Sequence, residues 1–271
     1  MTEERHYGDI PFRPDMDSIL IPGKRGKLTA VLYTAAGEGI HPTVLLLHGI
    51  PGCEQNQDLA QELRRAGFHV LIFHYSGSWG SDGDYSLSND LEDAETALDF
   101  LLRDGTHGID KKNLFAVGHS MGGFVCGQLC ARRSEIQAGI LLMPCDIGRI
   151  GIIQQEDGKA YQAVCGVLEE SGHWLTGTSG EALLAEALEK ADEFRLENRA
   201  ADLAKKPMLC VGGTLDVYIP AALHCDPVAK AVREAGGTDF HRADWVTDHM
   251  FSDHRVTAAE TVTEFLKKQI K

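Results

Sequence analysis

LFAVGHSMGG (114–123) decides how this chain is read. An unbroken apolar strand pattern, Leu114–Gly118, runs into Gly118-His119-Ser120-Met121-Gly122 and then into a segment of helical period, Met121–Arg133. A G-x-S-x-G pentapeptide between a strand and a helix is the context a nucleophile elbow requires. Such a turn is sharp, so Ser120 is expected in a strained backbone conformation, and side chains two positions either side of it would collide. Glycine at 118 and 122 removes the collision and leaves the Ser120 hydroxyl exposed at a helix N-terminus.

Working outward, strand patterns occur at Ser18–Ile21, Leu28–Tyr33, Thr43–His48, His69–His74, Leu114–Gly118, Gly139–Met143, Met208–Gly212 and Phe240–Trp245. Runs such as VLLL (44–47) and VLIF (70–73) show no polar alternation, as in strands buried on both faces. Helical periods fall between them at Gln57–Ala66, Asp90–Arg103, Met121–Arg133, Val228–Ala235 and Thr257–Ile270. Asn89 and Glu92 have capping-box spacing at the start of the second, and Gly105 lies beyond its end. The alternation predicts an α/β fold, a mostly parallel eight-stranded sheet with helices on both faces. The first two strands follow one another directly and should form an antiparallel edge. Residues 145–205 carry no strand pattern, and an unstructured loop that long is improbable. Glu181–Arg199 sets Leu184, Leu188 and Ala191 on one helical face, with Leu183, Ala187 and Phe194 beside it. The segment is therefore read as a small helical insertion over one end of the sheet, with further sheet-covering helices as the alternative.

Composition narrows the class. The chain has 271 residues, 26 Lys+Arg against 40 Asp+Glu, and a net charge of −14. That balance argues against nucleic acid or an anionic membrane as a partner. The first ten residues, MTEERHYGDI, are charged and without an apolar signal core, which argues against export. Seven cysteines with no CxxC pair fit reduced thiols, so the cytoplasm is the expected location. Cys126 and Cys130, one helical turn apart, read as buried small apolar residues.

A serine nucleophile needs a base, and the base an orienting acid. In this architecture the chain order is serine, acid, histidine. LCVGGTLDVYIP (209–220) carries Asp216 just past a strand, and RADWVTDHMFSDHR (242–255) carries His249 just past the last one. His254 is set too near the final helix, and His241 lies inside a strand pattern. His48 and His119 flank turns, Asp226 does not follow a strand end so directly, and Asp248 reads as a loop hydrogen-bonder. Asp248, His249, Asp253 and His254 lack a recognised metal-ligand spacing, and no metal or cofactor is expected. For the oxyanion hole, one donor should be the Met121 amide and the other an amide of LLLHGIPGCEQNQ (45–57). Ile50 is the natural choice because Pro51 has no N–H.

HGIPG, GHSMGG, GGTLDVYIP and DHMF, in this order, resemble the α/β-hydrolase superfamily. FHYSGSWGSDGDYS (73–86) is similar to a loop of bacterial feruloyl/cinnamoyl-type esterases and of the prolyl-oligopeptidase catalytic domain. Where their common form has arginine this chain has Ser76, and Trp79 stands in place of a glycine. The resemblance implies ester hydrolysis through an acyl-enzyme, with Ser120 as nucleophile, His249 as base then acid, and Asp216 as orienter. It also implies a core of residues 1–144 and 206–271, with 145–205 as a cap over the site. Trp79, Tyr161, Trp174 and Phe194 are candidate pocket residues, with cap packing as the alternative for the last three. The expected partner is a small-molecule ester, and a homodimer is left open. An amidase or aminopeptidase-like hydrolase, a thioesterase, an acyltransferase and a non-catalytic binding module are the other readings of the same residues.

Overall fold

The unalternating runs end up where such runs must, with His69–Phe73 wholly buried and the last five residues of His41–Leu47 likewise. A computed structural model describes residues 11–271; the N-terminal decapeptide discussed above lies outside them. Eight strands form one sheet: β1 (Asp15–Gly23), β2 (Gly26–Thr34), β3 (His41–Leu47), β4 (His69–Phe73), β5 (Ile109–His119), β6 (Ile136–Leu142), β7 (Met208–Gly213) and β8 (Phe240–Trp245). Their order is β1-β2-β4-β3-β5-β6-β7-β8. The β1–β2 and β2–β4 pairings are antiparallel and all others parallel, so the directly joined first pair does form the antiparallel edge.

The helices are α1 (Gln57–Arg65), α2 (Leu87–Arg103), α3 (Met121–Arg132), α4 (Ile150–Glu156), α5 (Gly158–Gly172), α6 (Gly180–Glu189), α7 (Ala191–Phe194), α8 (Ala200–Leu203), α9 (Ala221–Glu234) and α10 (Arg255–Lys267). Alternate residues of each central strand serve opposite faces. Leu45, Leu71, Ala116 and Leu141 pack with α2, α3 and α9, whereas Val44, Val70, Val117 and Ile140 pack with α1 and α10. After β3 the chain crosses to β4 on one side, and later to β5 on the other. The carboxyl ends of β3 and β5 therefore flank a switch point, the place where open α/β sheets bind ligands.

Among the helices, three segments differ most from the sequence reading. Helix α2 starts at Leu87, because extended Ser86 caps it by accepting from the Asn89 amide at 3.1 Å. Asn89 and Glu92 form no capping box, since Asn89 donates to the Asp84 carbonyl and Glu92 pairs with Arg25. Helix α9 begins at Ala221 and runs through Pro227, well before the Val228 start given by the sequence pattern. Pro227 cannot donate to the carbonyl four residues back, that of Leu223, and the Arg149 guanidinium takes up that acceptor at 2.6 Å. Finally, Glu181–Arg199 is not one helix: it breaks after α6 and again after α7. Leu188 is left 40% exposed, while Leu183, Ala187 and Phe194 are buried. The break lets Phe194 pack on Phe124 and Leu196 fill the space that Gly127 leaves open.

Among the described residues no helix is long and apolar enough to cross a membrane.

Candidate active site

Ser120 follows the carboxyl end of β5 with φ 58° and ψ −124°, the strained conformation expected of a sharp strand-to-helix turn. The flanking glycines are sterically required. A Cβ on Gly118 would stand 1.9 Å from the Gly122 carbonyl oxygen, and one on Gly122 would stand 2.2 Å from that of Leu47. The end of β6 clamps the turn: the Ser120 amide donates to the Leu142 carbonyl at 3.0 Å, and the Cys145 amide donates to the Ser120 carbonyl at 2.9 Å. Ser120 thus has little freedom other than rotation of its hydroxyl.

The loop after β7 aims Asp216. Its Oδ1 accepts from the amides of Tyr218 and Ile219 at 3.0 and 2.9 Å, an Asx-type turn that fixes the carboxylate. Its Oδ2 lies 2.6 Å from His249 Nδ1, and the carboxyl group is shielded from solvent. A carboxylate only accepts, so Nδ1 carries the proton and Nε2 is left as an acceptor. The Ser120 hydroxyl lies 2.9 Å from that Nε2. Ser120, Asp216 and His249 are brought together in one hydrogen-bonded line.

The loop carrying His249 is held by its own carbonyls. His119 Nε2 donates to the His249 carbonyl at 2.9 Å, and Arg255 donates to the Met250 carbonyl at 3.3 Å while lying over the Phe251 ring. Burial, and then the neighbouring His249, pull His119 down to about 3, so it stays neutral and acts as a hydrogen-bonding strut. Its place directly before Ser120 was the only sequence signal for that role. The other candidates are occupied elsewhere. Asp248 accepts from the Ser252 amide and hydroxyl, and His254 stacks on Trp245 beside Asp253. Among the described residues no three metal-ligating side chains converge.

On the opposite side, the loop after β3 brings Gly49 against Ser120. A Cβ there would meet the Ser120 Cβ at 3.0 Å. Ile50 follows, and Met121 opens α3, where the first amides have no intrahelical partner. Buried His48 donates through Nδ1 to the Gly49 carbonyl at 2.7 Å, and burial lowers it to about 3.

The sequence reading missed Arg25. Its guanidinium reaches from the β1–β2 turn to Ser76 Oγ at 3.3 Å, to Glu92 at 2.8 Å and to buried Asp93 at 2.9 Å. Asp93 also accepts from the Ser76 amide at 2.7 Å. A cation is therefore present beside Ser76 but arrives from a distant part of the chain. The one local signal was a serine where similar loops carry arginine.

The four candidate pocket residues separate. Trp79 and Trp174 stack, with ring centroids 6.2 Å apart and both rings exposed. Tyr161 is partly buried against the core, and Phe194 is fully buried on Phe124. A cavity of about 440 Å³ opens between the two site loops, lined by Cys53, Glu54, Gln55, Asp58, Met250 and Arg255 among others. None of the four pocket candidates borders it.

Known proteins share this architecture. The chain is 26% identical over 236 residues to acylamino-acid-releasing enzyme 2 of Oryza sativa subsp. japonica, covering 80% of this chain and 28% of that protein. It therefore spans less than a third of that relative's length. An acylaminoacyl peptidase of Pyrococcus horikoshii superposes with a TM-score of 0.71 at 15% identity, over 96% of this chain and 42% of that one. An esterase of Pyrococcus furiosus superposes with a TM-score of 0.71 at 16% identity, over 100% and 97% of the two chains. The sequence profile of the alpha/beta hydrolase family matches residues 44–265. With the profile spanning most of the chain, the protein belongs to the alpha/beta hydrolase family.

Proposed function

We propose that this chain hydrolyses carboxylic esters of small or medium acyl groups through an acyl-enzyme. The observation that carries the reading is the line Asp216–His249–Ser120, at 2.6 and 2.9 Å. Ser120 Oγ attacks the ester carbonyl while His249 Nε2 takes its proton, and Asp216 holds the imidazole in the required tautomer. The carbonyl oxygen becomes an oxyanion facing the amides of Ile50 and Met121, where one preorganised donor is worth about 3 kcal/mol. Collapse expels the alkoxide, which takes the proton from His249. Water, deprotonated by the same nitrogen, then attacks the acyl-enzyme, and Ser120 regains its proton as the acid leaves. The substrate is a small-molecule ester acting without a cofactor, and the location is the cytoplasm. The cap role of residues 145–205 and the pocket role of Trp79 and Trp174 belong to the same proposal.

Amide cleavage is the second reading, favoured by the similarity to an acylamino-acid-releasing enzyme over 80% of this chain. The same triad serves both, because fold and triad do not set the leaving group. Hydrolysis of p-nitrophenyl esters from acetyl to dodecanoyl, by the native chain and Ser120→Ala, tests the proposal. Short-chain activity abolished by the substitution supports it. Activity that survives in Ser120→Ala overturns it, and native inactivity on esters alongside turnover of acylated amino-acid anilides favours the amidase.

A further inference from the structure

Trp79 combines three features that pocket lining alone does not require. Its backbone is left-handed at φ 44°, a conformation that bulky residues seldom adopt and that persists only where the surroundings impose it. Its indole N–H donates to the Pro51 carbonyl at 2.6 Å, although the ring is 41% exposed. Its backbone carbonyl accepts from Thr29 Oγ1 at 3.3 Å, which ties the residue to strand β2.

The loop it touches has almost no slack. Gly52, at φ 101°, sits between His48 and Trp79, and a Cβ there would come within 2.5 Å of the His48 ring and 2.9 Å of the Trp79 indole nitrogen. From the other side, Tyr75 donates to the His48 carbonyl at 3.4 Å. The segment His48–Gly52 is thus gripped by one buried ring and one hydrogen-bonded indole, and the Ile50 amide lies inside that grip. The tryptophan is itself anchored: the Arg25–Asp93 pair holds Ser76, and the Gly77 amide donates to the Asp82 carbonyl at 3.1 Å.

The geometry points to Trp79 as a positioning residue of the oxyanion loop, holding the Pro51 carbonyl so that the neighbouring Ile50 amide faces the developing oxyanion. This rests on the proposed role of Ile50. Trp79 does not touch the reacting atoms; it acts through one peptide unit. Its effect should therefore fall on the transition state rather than on ground-state binding. Stacking of Trp174 on the same ring gives the helical segment between β6 and β7 a contact with this strut.

The test compares the native chain with Trp79→Phe, which keeps an aromatic ring but loses the N–H, using p-nitrophenyl acetate and a trifluoromethyl ketone that forms a hemiketal with Ser120. The expected result is a fall in kcat of about 10-fold or more, with KM within about twofold and ketone affinity weakened in proportion to kcat/KM. Trp79→His, which can restore a ring N–H donor, should recover part of kcat. A kcat within about twofold of native, or a raised KM with unchanged kcat, overturns the proposal and leaves Trp79 a pocket wall. If Trp79→Phe does not fold, the native chain carries the test through its ¹⁵N-indole resonances. The Trp79 proton should be protected from exchange and should shift when the ketone binds; exchange at the rate of a free indole refutes the hydrogen bond. A native chain that neither hydrolyses the ester nor reacts with a fluorophosphonate removes the proposed function itself, a result distinct from a defect confined to Trp79→Phe.

Discussion

Gly118→Ala adds a single methyl group two residues before Ser120, the proposed nucleophile, in a strand whose conformation tolerates alanine. The Cβ would lie 1.9 Å from the Gly122 carbonyl oxygen, 2.4 Å from its carbon and 2.8 Å from the Cys126 Cβ. Real Cβ contacts essentially never fall below 3.0 Å, so β5 and the first turn of α3 must part by about 1.1 Å. Neither can retreat easily. Gly122 is itself pressed against the Leu47 carbonyl, and Ser120 is clamped through its amide to Leu142 of β6 and through its carbonyl to Cys145, just past that strand. Overpacking of this kind costs about 1–3 kcal/mol of stability. A displacement near 1 Å at the nucleophile costs about 10²-fold in rate. Thermal melts and kcat/KM on p-nitrophenyl acetate should therefore both fall, the rate far more than the few degrees of melting temperature. An alanine variant retaining activity within about threefold would refute the argument that this contact sets the elbow.

Two further outcomes follow from the same contacts. Asp216→Asn turns the oxygen facing His249 Nδ1 into a group that can donate, favouring the wrong imidazole tautomer. The expected loss in kcat is about 10⁴-fold, and a loss below about 10-fold would remove Asp216 from the proposed triad. Stability should also fall in acid. Burial pulls His48, His119 and His224 from 6.5 to about 3 in the folded chain. Below pH ~6.5 the unfolded chain therefore binds protons that the native state refuses. Each histidine then removes about 1.4 kcal/mol per pH unit until its folded value is reached. Melting temperatures should decline steadily from pH 7 toward 4, and a flat profile between pH 7.5 and 5 would contradict the buried neutral state.

The elements that sequence reading located share one property: their cause is local. The strand runs announce burial on both faces by lacking polar alternation, and the elbow announces itself because only glycine fits either side of Ser120. Asp216 and His249 were legible because a parallel sheet delivers the ends of β7 and β8 to the same rim as the end of β5. The misplaced elements depend on partners far away in the chain. The start of α9 was hidden because Pro227 looks like a barrier until Arg149 satisfies the Leu223 carbonyl. The break after α6 was hidden because helical period alone cannot weigh the pull of Phe124 and Gly127 on Phe194 and Leu196.

Sequence alone thus determined the α/β architecture, the glycine-flanked strand-to-helix turn at Ser120 and the placing of Asp216 and His249 just past strand ends, since each follows from short-range sterics or from the direction of a parallel strand. Tertiary structure alone decided that the Asp216, His249 and Ser120 side chains meet at 2.6 and 2.9 Å, that Arg25 supplies a cation beside Ser76, and that Trp79 grips the Pro51 carbonyl. Those contacts join residues up to 129 positions apart. No pattern along the chain encodes such a pairing, because side-chain geometry at that separation is set by how the whole sheet and its helices pack.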